Sequence, residues 1–225
     1  MDALTYLATR HDLDLTQRSP IEIPNIGRDG LARLFYLLGY ADGAEIGVER
    51  AAYSRVLCEA IPGLRLRCVD AWRPYPGYRD HVMASKLERF YTETQAALAP
   101  YPRVTIVRQW SVEAAKAVPN GSLDFVYLDA NHAIESVIAD LAAWVPKVRA
   151  GGMIAGHDYV RHQWPNRIHV VQAINAWTDA YEIRPWFLLG QKAKVPGEVR
   201  DDARSWCWVH DPKPAWRKGM KVPQQ

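Results

Sequence analysis

Acidic and imidazole side chains follow two apolar runs of the sequence, at the point where each run ends. Asp129 follows the run LDFVYL at 123–128, with His132 three residues further on, and His157 and Asp158 follow the run GGMIAG at 151–156. Carboxylates and imidazoles are the side chains that hold divalent ions or move protons in enzymes. These four residues are candidates for a single site if the fold brings the two run ends together.

The elements around these residues alternate between strands and helices. Short, almost continuously apolar strands separated by amphipathic helices are typical of a parallel sheet covered on both faces. Near the C-terminus, 182–190 and 204–210 form two strands with no helix between them, which predicts an antiparallel hairpin. The predicted fold is an α/β, Rossmann-like, doubly wound sheet that is mostly parallel and ends in a C-terminal antiparallel hairpin. The strands are predicted at 43–48, 64–70, 103–109, 122–129 and 151–158, and the helices at 28–40, 51–61, 111–118, 134–148 and 170–180.

The chain organisation indicates one domain over 1–225. The length of 225 residues is ordinary for a single α/β domain, and no internal repeat or low-complexity linker interrupts it. Residues 1–27 are interpreted as an N-terminal extension. The segment 71–100 forms a long aromatic and Arg-bearing excursion, either a lid over the site or an ordinary crossover helix. Residues 211–225 form a basic, proline-rich tail, either solvated or in contact with an anionic molecule.

The composition excludes several classes of protein. No stretch of 18 apolar residues is present, so we expect no membrane span, and the N-terminal residues are too charged for a signal peptide. The three cysteines are far apart and form no CxxC pair, which indicates a reducing cytoplasm without a disulfide or zinc framework. A net charge of +3 is too mild to indicate nucleic-acid binding.

A nucleotide-type site is predicted at the end of the first central strand. Gly47 would let a ligand approach the backbone, and the helix that follows offers unpaired N–H groups. Asp70 ends the next strand, where an acid can accept both ribose hydroxyls. The dinucleotide pattern needs glycines at 49 and 52, where this chain has Glu49 and Ala52. A single glycine with a preceding acid, Glu45, suits S-adenosylmethionine better.

The chain resembles the class I S-adenosylmethionine-dependent methyltransferases, in particular the branch of metal-dependent sugar O-methyltransferases. The resemblance extends over about residues 25–210. It is carried by the segments AEIGVERAAYSRVLC, RCVDAWRPYPGYRDH, FVYLDANHAIESVIADLAAWVPKVRAGGMIAGHDY and SWCWVH. The chain departs from the usual first motif at Ala51, where a second glycine is common, and the extra methyl group could crowd the methionine end of the cofactor.

The resemblance implies roles for six cofactor-binding residues. Glu45 takes the methionine ammonium directly or acts through water, Ser54 takes the methionine carboxylate, and Asp70 holds the ribose. Ser111 reads the edge of the adenine and Trp72 stacks near the adenosine. The predicted cofactor-binding set is Glu45, Gly47, Ser54, Asp70, Trp72 and Ser111.

A divalent metal ion is expected beside the transferred methyl group. The fourth and fifth strands lie close together in this fold, so Asp129 and Asp158 would converge, and two unpaired carboxylates are costly to bury side by side. Mg²⁺ or Mn²⁺ would relieve that repulsion and would lower the pKa of a bound hydroxyl. The predicted metal ligands are Asp129, His157 and Asp158, and the predicted catalytic residues are His132, His157 and Asp129.

The roles of the two histidines stay open at this point. His157 is interpreted as a nitrogen ligand, as the base or as a structural residue. His132 is interpreted as the general base or as a hydrogen-bonding group at the helix start. Asp129 has a structural alternative as the cap of the helix near Ala133, although Asn131 could do the same.

The predicted activity is methylation of a hydroxyl of a sugar or oligosaccharide. The alternatives are a catechol- or phenol-type O-methyltransferase and a catalytically silent cofactor-binding protein. Nicotinamide dehydrogenases and serine hydrolases are disfavoured because the three-glycine loop and the GxSxG elbow are absent. We expect no membrane or nucleic-acid partner, and a homodimer is left open.

Overall fold

The protein forms a single eight-stranded sheet with helices on both faces. The structure is a computed structural model and describes residues 2–75, 83–161, 168–193 and 195–212. The strands are β1 Ile21–Ile23, β2 Asp42–Ile46, β3 Arg65–Asp70, β4 Val104–Arg108, β5 Leu123–Leu128, β6 Val148–Tyr159, β7 Phe187–Leu189 and β8 Arg204–Val209. The helices are α1 Ala3–His11, α2 Arg28–Leu37, α3 Ala52–Ala60, α4 Ala84–Leu98, α5 Ser111–Lys116, α6 Ile134–Trp144 and α7 Val170–Ala180, and a single 3₁₀ turn, Val145–Lys147, follows α6.

The strand order is β1-β7-β8-β6-β5-β2-β3-β4. The pairs of β2 with β3 and β5, of β3 with β4 and of β5 with β6 are parallel, whereas β8 is antiparallel to both β6 and β7. The predicted Rossmann-like class and the C-terminal hairpin are therefore confirmed. The chain order reverses direction across the sheet between β2 and β5, and ligands in such sheets bind beyond the carboxyl ends of the strands at this point.

The N-terminal residues contain structure that the sequence patterns did not predict. Helix α1 begins after Asp2, whose carboxylate accepts a hydrogen bond from the Thr5 backbone N–H at 2.9 Å. Strand β1 extends the sheet by pairing in parallel with β7, from Ile21 opposite Phe187 to Ile23 opposite Leu189. A three-residue strand is too short for its alternation to be recognised in a sequence, because its pairing depends on a partner more than 160 residues away.

Two apolar clusters flank the sheet and hold the strand ends in place. One packs α2 and α3 against the face that carries Phe125 and Tyr127, and the other packs α5, α6 and α7 against the face that carries Val126 and Ile154. Alternate residues of β5 thus serve opposite layers, as expected for a strand buried on both faces. Among the described residues, no helix is both long and apolar enough to cross a membrane.

Parts of two predicted segments lie outside the described residues. In the excursion 71–100, residues 76–82 fall outside them, and the rest includes α4, which packs against the core through Leu87 and Phe90. In the predicted basic tail, residues 213–225 fall outside them as well.

Candidate active site

A cavity of about 310 Å³ opens at the carboxyl ends of the central strands. It runs from the end of β3 and the start of α5, across β2, to the end of β5. Most of the residues predicted from the sequence line this cavity, namely Glu45, Gly47, Asp70, Trp72, Ser111, Asp129 and His132. Ser54, His157 and Asp158 lie behind or beside its wall.

Gly47 is required where β2 ends. Its φ of +89° lies in the left-handed region, and a Cβ there would lie 2.0 Å from the Asp129 carbonyl oxygen. The chains after β2 and β5 can approach this closely because no side chain separates them; the Asp129 backbone N–H donates to the Ile46 carbonyl at 2.8 Å. Gly47 therefore allows the loop after β2 to pack directly against the segment after β5 that carries Asp129.

Asp70 holds the loop after β2 against the end of β3. Its Oδ2 accepts backbone N–H groups of Val48 and Glu49, both at 3.0 Å, and its Oδ1 accepts the Trp72 backbone N–H at 2.8 Å. A carboxylate has about four lone-pair sites, so these three bonds leave capacity for a ligand hydroxyl. Asp70 lines the cavity, and it also orders the loop after β2.

Residues with unusual backbone conformations gather around this loop. Glu49, Ala51 and Trp72 have positive φ values of 51°, 60° and 43°. The Trp72 ring is buried, and its Nε1–H donates to the Glu49 carbonyl at 2.8 Å. Such conformations are costly for residues with a Cβ and are concentrated at binding sites. Ala51 precedes α3 and lies outside the cavity lining, so its methyl group strains the backbone and does not face the cavity.

Glu45 is almost completely buried and is paired with Ser54. The Ser54 hydroxyl donates to Glu45 Oε2, and Ser54 itself is fully buried and does not line the cavity. Burial raises the pKa of Glu45 to about 8, and the Ser54 hydrogen bond opposes only part of that effect. Ser54 thus orients Glu45, and the structure does not bring its hydroxyl to the cavity surface.

Arg28 is a cavity residue that the sequence patterns did not single out. It is the first residue of α2, and its guanidinium lies 5.5 Å from the centre of the Tyr53 ring at the start of α3. Within the described residues, its side chain makes no ion pair with a carboxylate. An arginine that opens a helix resembles any solvated arginine in sequence, so only the packing of α2 on α3 shows where it lies.

The second part of the site is a cluster at the ends of β5 and β6. Ligand atoms of Asp129, His132 and Asp158 all lie within 4.8 Å of one another. His132 Nε2 lies 2.9 Å from Asp158 Oδ2 and 3.7 Å from Asp129 Oδ1. His157 Nδ1 lies 3.5 Å from Asp158 Oδ1 and 3.9 Å from Asp129 Oδ2. The predicted convergence of the two strand ends is present, and His132 rather than His157 completes the tightest group.

A bulge aims Asp158 into this cluster. The pairing of β6 with β8 shifts register between Gly156 and Tyr159, and Asp158 has a φ of 57°. The Trp206 ring packs directly on Gly156, and its Nε1–H donates to the His157 carbonyl at 3.0 Å. Bulges redirect side chains in this way near functional sites.

The cluster carries an excess of negative charge that attracts protons. Burial lowers the pKa of His132, but the hydrogen bonds and charges of Asp129 and Asp158 outweigh burial and raise that pKa to about 9. The pKa of His157 is raised against burial by the same carboxylates. Burial would raise the pKa of Asp158, yet the two histidines hold it well below its usual range. The cluster is thus a strong binding site for positive charge.

Asn131, and not Asp129, provides the side-chain hydrogen bond at the N-terminus of α6. Its side-chain oxygen accepts the Ala133 backbone N–H at 2.9 Å, immediately before α6. The carboxylate of Asp129 instead faces the histidines of the cluster.

A family model described as a methyltransferase domain matches residues 44–159, which is more than half of the chain. The chain belongs to this family. The matched region runs from β2 to the end of β6 and contains Gly47, Asp70, Asp129 and Asp158. The predicted resemblance to class I S-adenosylmethionine-dependent methyltransferases is therefore confirmed.

Solved structures show the same fold at low sequence identity. An O-methyltransferase from Bacillus cereus, in complex with S-adenosylhomocysteine, has a TM-score of 0.55 and 17% identity, with 92% of this chain and 89% of that chain covered. A Staphylococcus aureus protein provisionally assigned as a caffeoyl-CoA O-methyltransferase has a TM-score of 0.59 and 15% identity, covering 92% and 90%. An N-methyltransferase from Bradyrhizobium japonicum has a TM-score of 0.51 and 12% identity, covering 80% and 91%. No curated protein matches the sequence significantly.

Proposed function

We propose that this methyltransferase transfers a methyl group from S-adenosylmethionine to a hydroxyl of a sugar or oligosaccharide, with the help of a divalent cation. The observation that supports this proposal is the group formed by Asp129, His132 and Asp158, which adjoins a cavity that Gly47 and Asp70 also line. Such a reaction requires a site for the methyl donor and a site that activates the acceptor hydroxyl. The cavity and the acidic cluster would provide these two sites at the carboxyl ends of the central strands.

The donor would lie along the cavity with its nucleoside near Asp70 and its methionine end near α3. Asp70 has remaining lone pairs for the ribose hydroxyls, while Trp72 and Ser111 line the same end. At the other end, Glu45 faces the ammonium, and Ser54 keeps the Glu45 carboxyl oriented. Arg28 replaces Ser54 as the proposed partner of the methionine carboxylate, because its guanidinium reaches the cavity beside Tyr53 and Ser54 does not.

The donor atoms of the cluster fit a small divalent cation. Two carboxylates and one imidazole lie within 4.8 Å of one another, and carboxylate oxygens suit Mg²⁺ and Mn²⁺, while the nitrogen extends the choice towards Mn²⁺. A bound cation would supply Lewis-acid stabilisation of the negative charge that develops on the acceptor oxygen. We propose Asp129, His132 and Asp158 as the ligands, with His157 holding Asp158 from its other side.

The choice of a sugar acceptor is supported by the polar wall beside the cluster. Asn131 and His132 follow Asp129 in the cavity lining, whereas Trp72 and Tyr75 follow Asp70 at the proposed nucleoside end. Trp186 is buried in the core, and Trp164 lies outside the described residues. Polar groups near the cation suit an acceptor that carries several hydroxyls.

A catechol is the second candidate acceptor, favoured by the name of the Staphylococcus aureus neighbour. A catechol also presents two neighbouring hydroxyls to a cation. A panel of sugars with vicinal diols and of catechols, assayed with the same enzyme and cation, distinguishes the two. Turnover confined to catechols would replace the sugar proposal, and turnover of neither with intact cofactor binding would indicate a different acceptor.

The cation proposal is tested by metal removal together with two histidine variants. We expect EDTA to abolish turnover and Mg²⁺ or Mn²⁺ to restore it. His132→Ala should weaken Mn²⁺ binding, measured by electron paramagnetic resonance, at least about tenfold, which corresponds to ~1.4 kcal/mol. His157→Ala should weaken it less. If His132→Ala binds Mn²⁺ normally but loses the chemical step by about 10²–10⁴-fold, His132 is the general base instead.

A further inference from the structure

The hydroxyl of Ser111 is held between two partners on α6. Ser111 opens α5, and Asp140 and Trp144 lie four residues apart on α6, so both side chains project from the same face towards it. The Ser111 hydroxyl donates to Asp140 Oδ1, and the Trp144 Nε1–H donates to the Ser111 oxygen at 2.9 Å. Asp140 is 7% exposed and Trp144 is fully buried. The two hydrogen bonds are therefore part of the packed interface between α5 and α6 and not a surface contact.

The chemistry of these partners sets the direction of each hydrogen bond. An indole N–H can only donate, and an ionised carboxylate can only accept. Burial raises the pKa of Asp140 to about 6, and the Ser111 hydrogen bond opposes that rise, so the carboxyl is mainly ionised at neutral pH. The single proton of the Ser111 hydroxyl is then committed to Asp140, and one of its two lone pairs is committed to Trp144. One acceptor lone pair remains on the hydroxyl of Ser111, a residue that lines the cavity.

We propose that Asp140 and Trp144 fix Ser111 as an obligate hydrogen-bond acceptor, so that the site selects a purine with an exocyclic amino group over one with a carbonyl. This inference rests on the proposed position of the nucleoside at the end of the cavity lined by Asp70, Trp72 and Ser111. An adenine amino group donates to the free lone pair. A hypoxanthine carbonyl at the same place would face that lone pair without a proton between the two oxygens, and sites built this way discriminate strongly. Asp140 is a positioning residue in this scheme, because it acts through Ser111.

The test compares S-adenosylhomocysteine with S-inosylhomocysteine, which differ at this position of the base, by isothermal titration without metal or acceptor. We expect the wild type to prefer the adenosyl ligand at least about tenfold. Asp140→Leu frees the hydroxyl proton and should reduce the preference to about threefold or less. Asp140→Asn keeps an oxygen that can accept from Ser111 and should retain most of the preference. Ser111→Ala should lose it.

Glu113→Leu is the matched control, since Glu113 is an exposed acid on the same helix and forms an ion pair with Lys116. It should bind both ligands as the wild type does. A preference that is unchanged in both Ser111→Ala and Asp140→Leu overturns the proposal, as does a wild type that binds both ligands equally. If Asp140→Leu does not fold, the Ser111→Ala and Asp140→Asn ratios decide alone. Failure of the wild type to bind either ligand would instead reject the proposed cofactor site.

Discussion

The two ends of the cavity satisfy their polar groups in different ways. At the nucleoside end, the chain completes its own hydrogen bonds, since Asp70 accepts three backbone N–H groups and Ser111 is held by Asp140 and Trp144. At the β5–β6 end, Asp129 and Asp158 share two histidines whose pKa values are both raised. The first end completes its hydrogen bonds within the chain, whereas the second holds the two carboxylates at which we propose a divalent cation.

This difference indicates what substitutions should do at each end. Changes at the β5–β6 end should remove activity and leave the fold and the donor affinity largely intact, because the cluster lies at strand ends and not in the core. Changes at the nucleoside end should affect loop order and donor affinity together.

The largest effect is expected from Asp129→Asn and Asp158→Asn. Each change removes a negative charge from the cluster, and we expect turnover to fall by about 10²–10⁴-fold, the range associated with losing a catalytic group. The dissociation constant for S-adenosylhomocysteine should change by less than about threefold, or ~0.7 kcal/mol. Asp179→Asn, at an exposed acid on α7, is the control. If the variants lost S-adenosylhomocysteine affinity by the same factor as turnover, the two ends of the cavity would not have separate roles.

Gly47→Ala should destabilise the fold, because this glycine connects the two ends. The added Cβ would lie 2.0 Å from the Asp129 carbonyl oxygen at a φ of +89°. We expect a loss of about 3 kcal/mol or more in the free energy of unfolding, measured with denaturant. Gly121→Ala is the matched control, since its φ is +66° and no atom lies within 4 Å of the added Cβ. It should cost only about 1–2 kcal/mol, and an equal cost for both would exclude the close approach.

Glu45 should make the free energy of unfolding depend on pH. Its folded pKa of about 8 is raised above 4.5, so its stabilising contribution is complete below about pH 4.5 and is lost as the pH rises through 8. The slope is up to about 1.4 kcal/mol per pH unit in that window. Glu45→Gln, which resembles the protonated form, should therefore become progressively more stable than the wild type between pH 5 and 8, a window set by the same two pKa values. The free energy of unfolding of both proteins would be measured with urea across this pH range. A constant difference between wild type and Glu45→Gln would reject the raised pKa.

Asp70→Ala should weaken S-adenosylhomocysteine binding at least about tenfold, or ~1.4 kcal/mol. The change removes a proposed ribose partner and also releases the three backbone N–H groups that Asp70 holds. Asp42→Ala removes an exposed acid that pairs with Arg65 and should leave binding unchanged. If 5′-methylthioadenosine, which lacks the amino-acid tail, loses as much affinity as S-adenosylhomocysteine, the defect lies at the nucleoside end.

The smallest effect is expected from Ala51→Gly. Ala51 has a φ of 60°, where glycine is favoured, so the change should raise the free energy of unfolding by roughly 0.5–1 kcal/mol. Ala96→Gly, on the exposed face of α4, should lower it by about 1 kcal/mol, because glycine is a poor helix former. Thermal unfolding of both variants checks the opposite signs. A loss of stability in Ala51→Gly would show that the packing of the buried Ala51 methyl group outweighs the strain of the left-handed conformation.

The sequence by itself determined, in outline, the succession of strands and helices along the chain and the residues at the strand ends. Apolar runs that stop at Asp70 and Asp129 are visible without a structure, because a strand buried on both faces must end where polar groups begin. The parallel sheet and the C-terminal hairpin were predicted from the strand and helix patterns, and the methyltransferase family was predicted from the resemblance of longer sequence segments. The placement of Gly47, Asp70 and Asp129 around one cavity then follows from strand direction.

Only the tertiary structure decided which way side chains point and which distant residues meet. The pairing of β1 with β7, the turn of Ser54 towards Glu45, the position of Arg28 and the contact of Asp140 with Ser111 all depend on how separate elements pack. The same holds for His132, which completes the Asp129–Asp158 group because the register shift after Gly156 turns Asp158 towards it. Strand periodicity is a local property of the chain, whereas these contacts join residues up to 166 positions apart, such as Ile21 and Phe187, and exist only once the layers have packed.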